Sequence, residues 1–150
     1  MQIQTVTEAN FAEVLPLVAA YQQFYLAAPD AERNRRHFSR FLTDHSQGIL
    51  FLARADDGAA VGMATLYFTN SSVRACVQCL MNDLYVAPSA RGQGIGRALI
   101  EHCRQHAQQL GYDAIIWTTA TSNATAQRLY DSLGATSSQW LHYRLPSVAS

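Results

Sequence analysis

Three glycines and an arginine, Arg91-Gly92-Gln93-Gly94-Ile95-Gly96, stand directly before a segment whose apolar side runs through Ala98, Leu99, Cys103, Ala107 and Leu110. A tight glycine loop that opens a helix presents unpaired main-chain N–H groups, with the positive end of the helix dipole behind them. Such a loop is an anion site, and glycine leaves room for a diphosphate to reach the backbone. Arg91 or Arg97 adds charge. The same glycines also serve as turn punctuation, so the spacing alone leaves both readings open. A dinucleotide fold is excluded, because it needs Gly-x-Gly-x-x-Gly after the first strand of a βαβ unit.

Other reactive side chains are fewer. All eleven basic residues are Arg, which excludes lysine Schiff-base chemistry and any phosphate loop ending in Gly-Lys-Ser or Gly-Lys-Thr. Cys76 and Cys79 are three apart on an expected strand, pointing to opposite faces, and lack the further ligands of a structural zinc site. His102 and His106 have i,i+4 spacing on a helix but no third ligand, and read as surface; no metal site is expected. Arg33, Arg36 and Arg40 form one stripe, either a solvated face or a site for acidic ligand groups. Tyr21, Phe24 and Tyr25 form an aromatic stripe that fits either a core or a ligand wall.

These residues must be held by a mixed sheet. Ile3 to Val6 alternates like a strand, and Thr7 is a plausible cap for a helix that Pro16 should kink or split. Asp30 caps a second helix, about Ala31 to Thr43. Ile49 to Ala53, Ala60 to Phe68 and Val73 to Val86 read as three hairpin-linked strands, separated by Asp56-Asp57-Gly58 and Asn70-Ser71-Ser72. The glycine-led helix ends at Gly111, Ala114 to Thr118 is a strand, Ser122 caps a helix through Leu133, and Trp140 to Leu145 is a last strand. The order predicts an α/β (α+β) fold with helices on both faces of a mixed, mostly antiparallel sheet of six to seven strands.

With 150 residues and 49% hydrophobic content, the chain fits one domain over residues 1–150 with a real core. Zero formal net charge removes the field that holds a nucleic-acid backbone, so no nucleic-acid partner is expected. No apolar run reaches the roughly 18 residues of a membrane span. Three Cys and no signal peptide point to the cytoplasm.

Asp83-Leu84-Tyr85-Val86-Ala87-Pro88, followed by Arg91-x-x-Gly94-x-Gly96, resembles the central motif of the GNAT superfamily of N-acetyltransferases. Asn123-x-x-Ala126-x-x-Leu129-Tyr130 with Leu133-Gly134-Ala135 is similar to that family's following element, in the expected order. The likeness runs from Ile3 to Leu145 and is nearest in character to members acting on small amines, polyamines or thialysine.

The resemblance implies a GNAT fold with its sheet splayed between the fourth and fifth strands. It implies acetyl-CoA as cosubstrate, an acetyl group passed to a small-molecule primary amine by direct attack in a ternary complex, and a possible homodimer. The amides from Gln93 through Gly94, Ile95 and Gly96 to Arg97, with Arg91, would hold the diphosphate. Leu84 and Val86 would offer main-chain groups to the pantetheine arm and acetyl carbonyl, with the Leu84 N–H as oxyanion donor. Asn123 would contact the cofactor, and Tyr130 would face the sulfur and protonate the leaving thiolate. Tyr21 and Tyr25 fall in the helix that lines the amine pocket in relatives.

This chain departs from the family over the base. Relatives often carry Glu or His at the positions of Asn82 or Leu80, so the nearest carboxylate is Asp83, as amine anchor or base through water. Simple alternation turns Asp83 away from the face of Asn82, and a bulge would re-aim it. Asn82 and Asp83 are therefore both assigned to the substrate side. The rival expectations are a protein or peptide acetyltransferase, and a CoA-binding regulatory module without turnover.

Overall fold

Alternation along the central strands decides the architecture. In Gly48–Arg54 (β2), Leu50 and Leu52 join a cluster with Val14, Val18, Phe38 and Phe41, whereas Phe51 between them packs edge-on against His102 and His106, with ring centres 4.6 and 5.3 Å away. The sheet is thus covered on both sides, by Phe11–Phe24 (α1) and Ala31–Phe38 (α2) on one and by Ile95–Gln109 (α3) on the other. Fully burying such a side chain stabilises by about 1.5–3 kcal/mol. His102 and His106, expected at the surface, are instead half-buried over Phe51, and burial lowers the pKa of both.

The computed structural model of the chain describes residues 1–148. These divide into two compact units, Met1–Thr118 and the residues from Thr119 onward. The first holds a five-stranded mixed sheet in the order β1-β2-β3-β4-β5, with Gln2–Thr5 (β1), Ala60–Ser71 (β3), Cys76–Val86 (β4) and Ile115–Ile116 (β5). The β1-β2, β2-β3 and β3-β4 pairs are antiparallel and β4-β5 is parallel. The second unit is built on Ala124–Ser132 (α4).

Several boundaries differ from the sequence reading. Helix α1 is continuous through Pro16, its missing N–H tolerated because Val14, Leu17 and Val18 seat the flanking turns in the core. Its cap position is Asn10, whose side chain reaches back to the N–H of Thr7 at 2.8 Å. Asp30 caps α2 by accepting from the Arg33 N–H at 2.9 Å, but the helix tightens into a 3-10 turn at Ser39–Phe41 instead of running to Thr43. Asn123, not Ser122, caps α4.

Among the described residues the strand count is five, below the six to seven expected. The last expected strand does not form: Trp140, Leu141, Tyr143 and Leu145 lie in coil and are largely exposed. Apolar alternation licenses a strand only where another edge pairs with it. Among the described residues no helix is long and apolar enough to cross a membrane.

Candidate active site

A one-residue irregularity between β3 and β4 organises the site. Thr65 pairs with Asp83, but the adjacent Leu66 pairs with Met81, so Asn82 is inserted as a bulge. Before the bulge Cys79 faces α3, where its sulfur interacts with Cys103. After it Tyr85 joins the cluster under α1 and α2. The bulge therefore turns Asp83 onto the α1/α2 face, the re-aiming that plain alternation forbids.

On that face a cavity of about 250 Å³ opens between the two helices and the sheet, with Tyr21, Arg33, His37, Tyr67, Asn82 and Asp83 among its walls. Asp83 is buried, and burial raises the pKa of its carboxyl; the Thr65 hydroxyl, the Tyr21 phenol and the Asn82 amide oppose that rise. Asn82 donates to the carboxylate at 3.1 Å. Among the described residues the wholly buried Thr65 hydroxyl meets no partner at full hydrogen-bond geometry, so it acts on Asp83 as a nearby dipole. Tyr21 donates to the Asn82 carbonyl at 3.4 Å. Tyr25, the C-cap of α1, is half-exposed, stacks edgewise on Tyr21 at 5.0 Å, and does not line the cavity.

His37 and Tyr67 were not singled out as site residues from sequence. The His37 Nε2 lies 3.4 Å from the Tyr67 hydroxyl. Burial, then the charge of Asp83, holds the Tyr67 phenol well above its ordinary range. Burial and the Arg40 guanidinium lower the pKa of His37 against the opposing charge of Asp83, which favours its neutral ring. The aromatic and His content of α2 and β3 was visible, but their convergence is a product of tertiary packing. Gln22 and Asn34 close the helix side by a reciprocal amide pair at 2.8 and 2.9 Å.

The other side of β4 is an open edge. The ladder to β5 involves only Cys79 and Leu80. The Ala87 N–H bonds to Val61 of β3 at 2.8 Å, so by strand alternation Leu84 and Val86 direct their main-chain groups away from β3, toward the edge that β5 does not cover. The Val86 carbonyl there accepts from the Arg91 Nε at 3.0 Å, and the Arg91 guanidinium lies over the Tyr85 ring. Arg91 is thus engaged by the strand.

Beyond the strand the chain enters α3 through Gly94, its N-cap in the left-handed region at φ 80°. The first helical hydrogen bond runs from the Ala98 N–H to the Gly94 carbonyl at 3.0 Å, so the amides of Gly94, Ile95 and Gly96 precede the helix's own ladder. A Cβ on Gly92 or Gly94 would meet nothing within 4 Å. That open space before oriented amides is a cradle a side chain would fill, and it fits the diphosphate of a CoA ligand. The Ile95 side chain is buried and Gln93 reaches the Ser89 carbonyl at 3.5 Å, so both contribute through the main chain. Arg97 follows on the first turn. The helix is seated by Gly62, where a Cβ would come within 3.1 Å of the Tyr85 carbonyl, 3.2 Å of Leu99 and 3.3 Å of Ile95.

In the second unit Tyr130 lies on α4. Asn123 accepts the Ala126 N–H at 3.2 Å, so its Oδ1 serves the cap.

A bulged β4 beside a short parallel strand, followed by a glycine-capped helix, is the arrangement that the resemblance of the Asp83 to Gly96 motif implies. The sequence profile of the Acetyltransferase (GNAT) family matches residues 15–135, and the chain belongs to that family of N-acetyltransferases. It is 31% identical over 134 residues to a Bacillus subtilis protein named as an uncharacterized N-acetyltransferase, covering 89% of each chain. It is 35% identical over 129 residues to a D-amino-acid N-acetyltransferase of Saccharomyces cerevisiae, covering 83% of this chain and 78% of that one. A solved structure described as a probable acetyltransferase superposes with a TM-score of 0.85 at 28% identity, covering all of both chains.

Proposed function

We propose that this GNAT-family enzyme uses acetyl-CoA to acetylate the primary amine of a small molecule, such as a polyamine, an amino acid or a lysine-like amine, held beside Asp83. The observation that carries the reading is the Asn82 bulge. It points a buried carboxylate into the α1/α2 cavity while Leu84, one residue on, turns its main chain to the opposite strand edge. The cavity is below the roughly 300–1,000 Å³ of sites for drug-sized ligands, which favours a compact acceptor over a protein segment.

Each residue then has a task. The amides from Gln93 to Arg97 hold the diphosphate, and the Val86 N–H takes the pantetheine arm. Bound acetyl-CoA supplies an acetyl thioester. The Leu84 N–H is set to stabilise negative charge developing on the acetyl oxygen. A lysine-like ammonium has a pKa of about 10.4, so making it neutral at pH 7 costs roughly 4.6 kcal/mol. Asp83 anchors that ammonium and takes its proton, directly or through water, and the Tyr67 hydroxyl and His37 ring offer a way out to solvent. Tyr130 protonates the departing thiolate. Asn123 adds a cofactor contact.

We further propose that residues 1–150 act as one catalytic domain in the cytoplasm, with a homodimer as the working assembly. Titration calorimetry with acetyl-CoA, paired with thiol release across an amine panel, tests the function. Binding with amine-dependent CoA release supports it. Binding with no release from any amine would favour a regulatory CoA module.

A further inference from the structure

We infer that the acceptor carries a carboxylate close to its amine, as an α-amino acid does, and is not a diamine. The inference rests on the acetyl-transfer reading above and narrows its substrate class. Among the described residues lining the cavity there is one carboxylate, Asp83, and one guanidinium, Arg33, with His37 beside them. One buried anion and one cation complement a zwitterion. A diamine bound to Asp83 would carry its second ammonium toward Arg33 and His37, with no other carboxylate on the wall to receive it.

The state of Arg33 suits this role. It pairs with Asp30 at 4.0 Å, where Arg33 is largely exposed and Asp30 half-exposed, so the pair holds the side chain weakly. Asp30 already spends its Oδ1 on the Arg33 main-chain N–H as the helix cap. The fork of a guanidinium matches a carboxylate in bidentate geometry, which an ammonium donor does not. Arg36 and Arg40 follow along the same segment and keep its field positive. The remaining wall includes Val18, Phe38 and Met63, an apolar surface for an uncharged side chain. In a cavity of about 250 Å³ the carboxylate, the amine and a modest side chain fill the space together.

The test compares three acceptors that share one side chain: the amino acid, its carboxamide and the decarboxylated amine, with putrescine and spermidine alongside. The readouts are thiol release and mass detection of the acetylated product. The amino acid is expected to exceed the carboxamide and the amine in kcat/KM by roughly ten- to hundredfold, the range that a charge-assisted hydrogen bond supplies. Arg33→Gln should collapse the ratio of acid to carboxamide to near unity, chiefly through KM for the acid, and Arg33→Glu should invert it. Polyamines or the decarboxylated amine used as well as the amino acid would overturn the inference and leave acetyl transfer standing. So would an acid-to-carboxamide ratio unmoved by either Arg33 variant. Acetylation of none of these acceptors would overturn the acetyl-transfer reading itself, and this inference with it.

Discussion

Thr65 and Asp83 face each other across β3 and β4 on the far side of a bulge that leaves Asn82 without a partner residue. That one-residue insertion exchanges the faces of the strand. Met81 pairs with the buried Leu66, while Asp83 enters the cavity with Tyr21 and Tyr67. A sheet whose ladder was unbroken would put the same carboxylate under α3, among Cys79 and Cys103, where no acceptor could reach it.

Asp83→Asn should lower kcat/KM by about 10²- to 10⁴-fold, the range for a positioned acid or base. In the wild type, burial raises the Asp83 pKa, so the acid limb of the rate profile should lie above the ordinary carboxylate range, with activity falling as pH drops through it. Stability runs the other way. A folded pKa above the unfolded value means that the carboxyl's contribution to stability is full below the unfolded pKa of about 3.9 and is lost as pH rises through the folded value. The Asn variant should therefore melt no lower than wild type at pH 7, with any gain shrinking on acidification. Wild-type turnover in the variant would remove Asp83 from the reaction.

Gly62→Val should loosen the seat of α3. The new side chain meets the Tyr85 carbonyl, Leu99 and Ile95, and overpacking of this kind costs about 1–3 kcal/mol. Chemical denaturation should show that loss, and calorimetry should show weaker acetyl-CoA binding because the amides at the start of α3 shift with the helix. A destabilised variant with full affinity would separate helix seating from the cradle.

Gly94→Asp is expected to weaken acetyl-CoA binding by tenfold or more, since it forces a side chain into left-handed backbone at φ 80° and places negative charge before the helix N-terminus. Gly58, also left-handed at φ 87° and in the β2–β3 turn, provides the control. Gly58→Asp carries the same backbone strain and should leave affinity near wild type. Equal losses in the two variants would indicate general strain.

Tyr130→Phe should lower turnover by about 10²-fold or more with acetyl-CoA affinity nearly intact, as expected for a general acid. The measurement is kcat against the calorimetric Kd. Unchanged turnover would assign Tyr130 to packing of the α4 unit.

Much of this arrangement was legible in the sequence, for local reasons. Gly94 and Gly111 bracket α3 because each takes positive φ, and Asp30 caps α2 through its own side chain. The motif from Asp83 to Gly96 marked both the strand and the cradle. The position of the bulge was not legible: Cys79, Met81, Asp83 and Tyr85 are buried in unbroken alternation, so the pattern conceals the change of face. His37 and Tyr67 lie 30 positions apart and meet only through packing of α2 over β3. Trp140 to Leu145 has a strand's alternation, yet a strand also needs an edge to pair with, which composition does not report.

Incubation of the enzyme with acetyl-CoA and a panel of amino acids, polyamines and lysine-like amines, followed by mass spectrometry, tests acetyl transfer most directly. The account predicts an amine heavier by one acetyl group, formed in step with free thiol and nearly abolished by Asp83→Asn. Free thiol with no acetylated amine, or product formed equally well by the Asp83 variant, would contradict it.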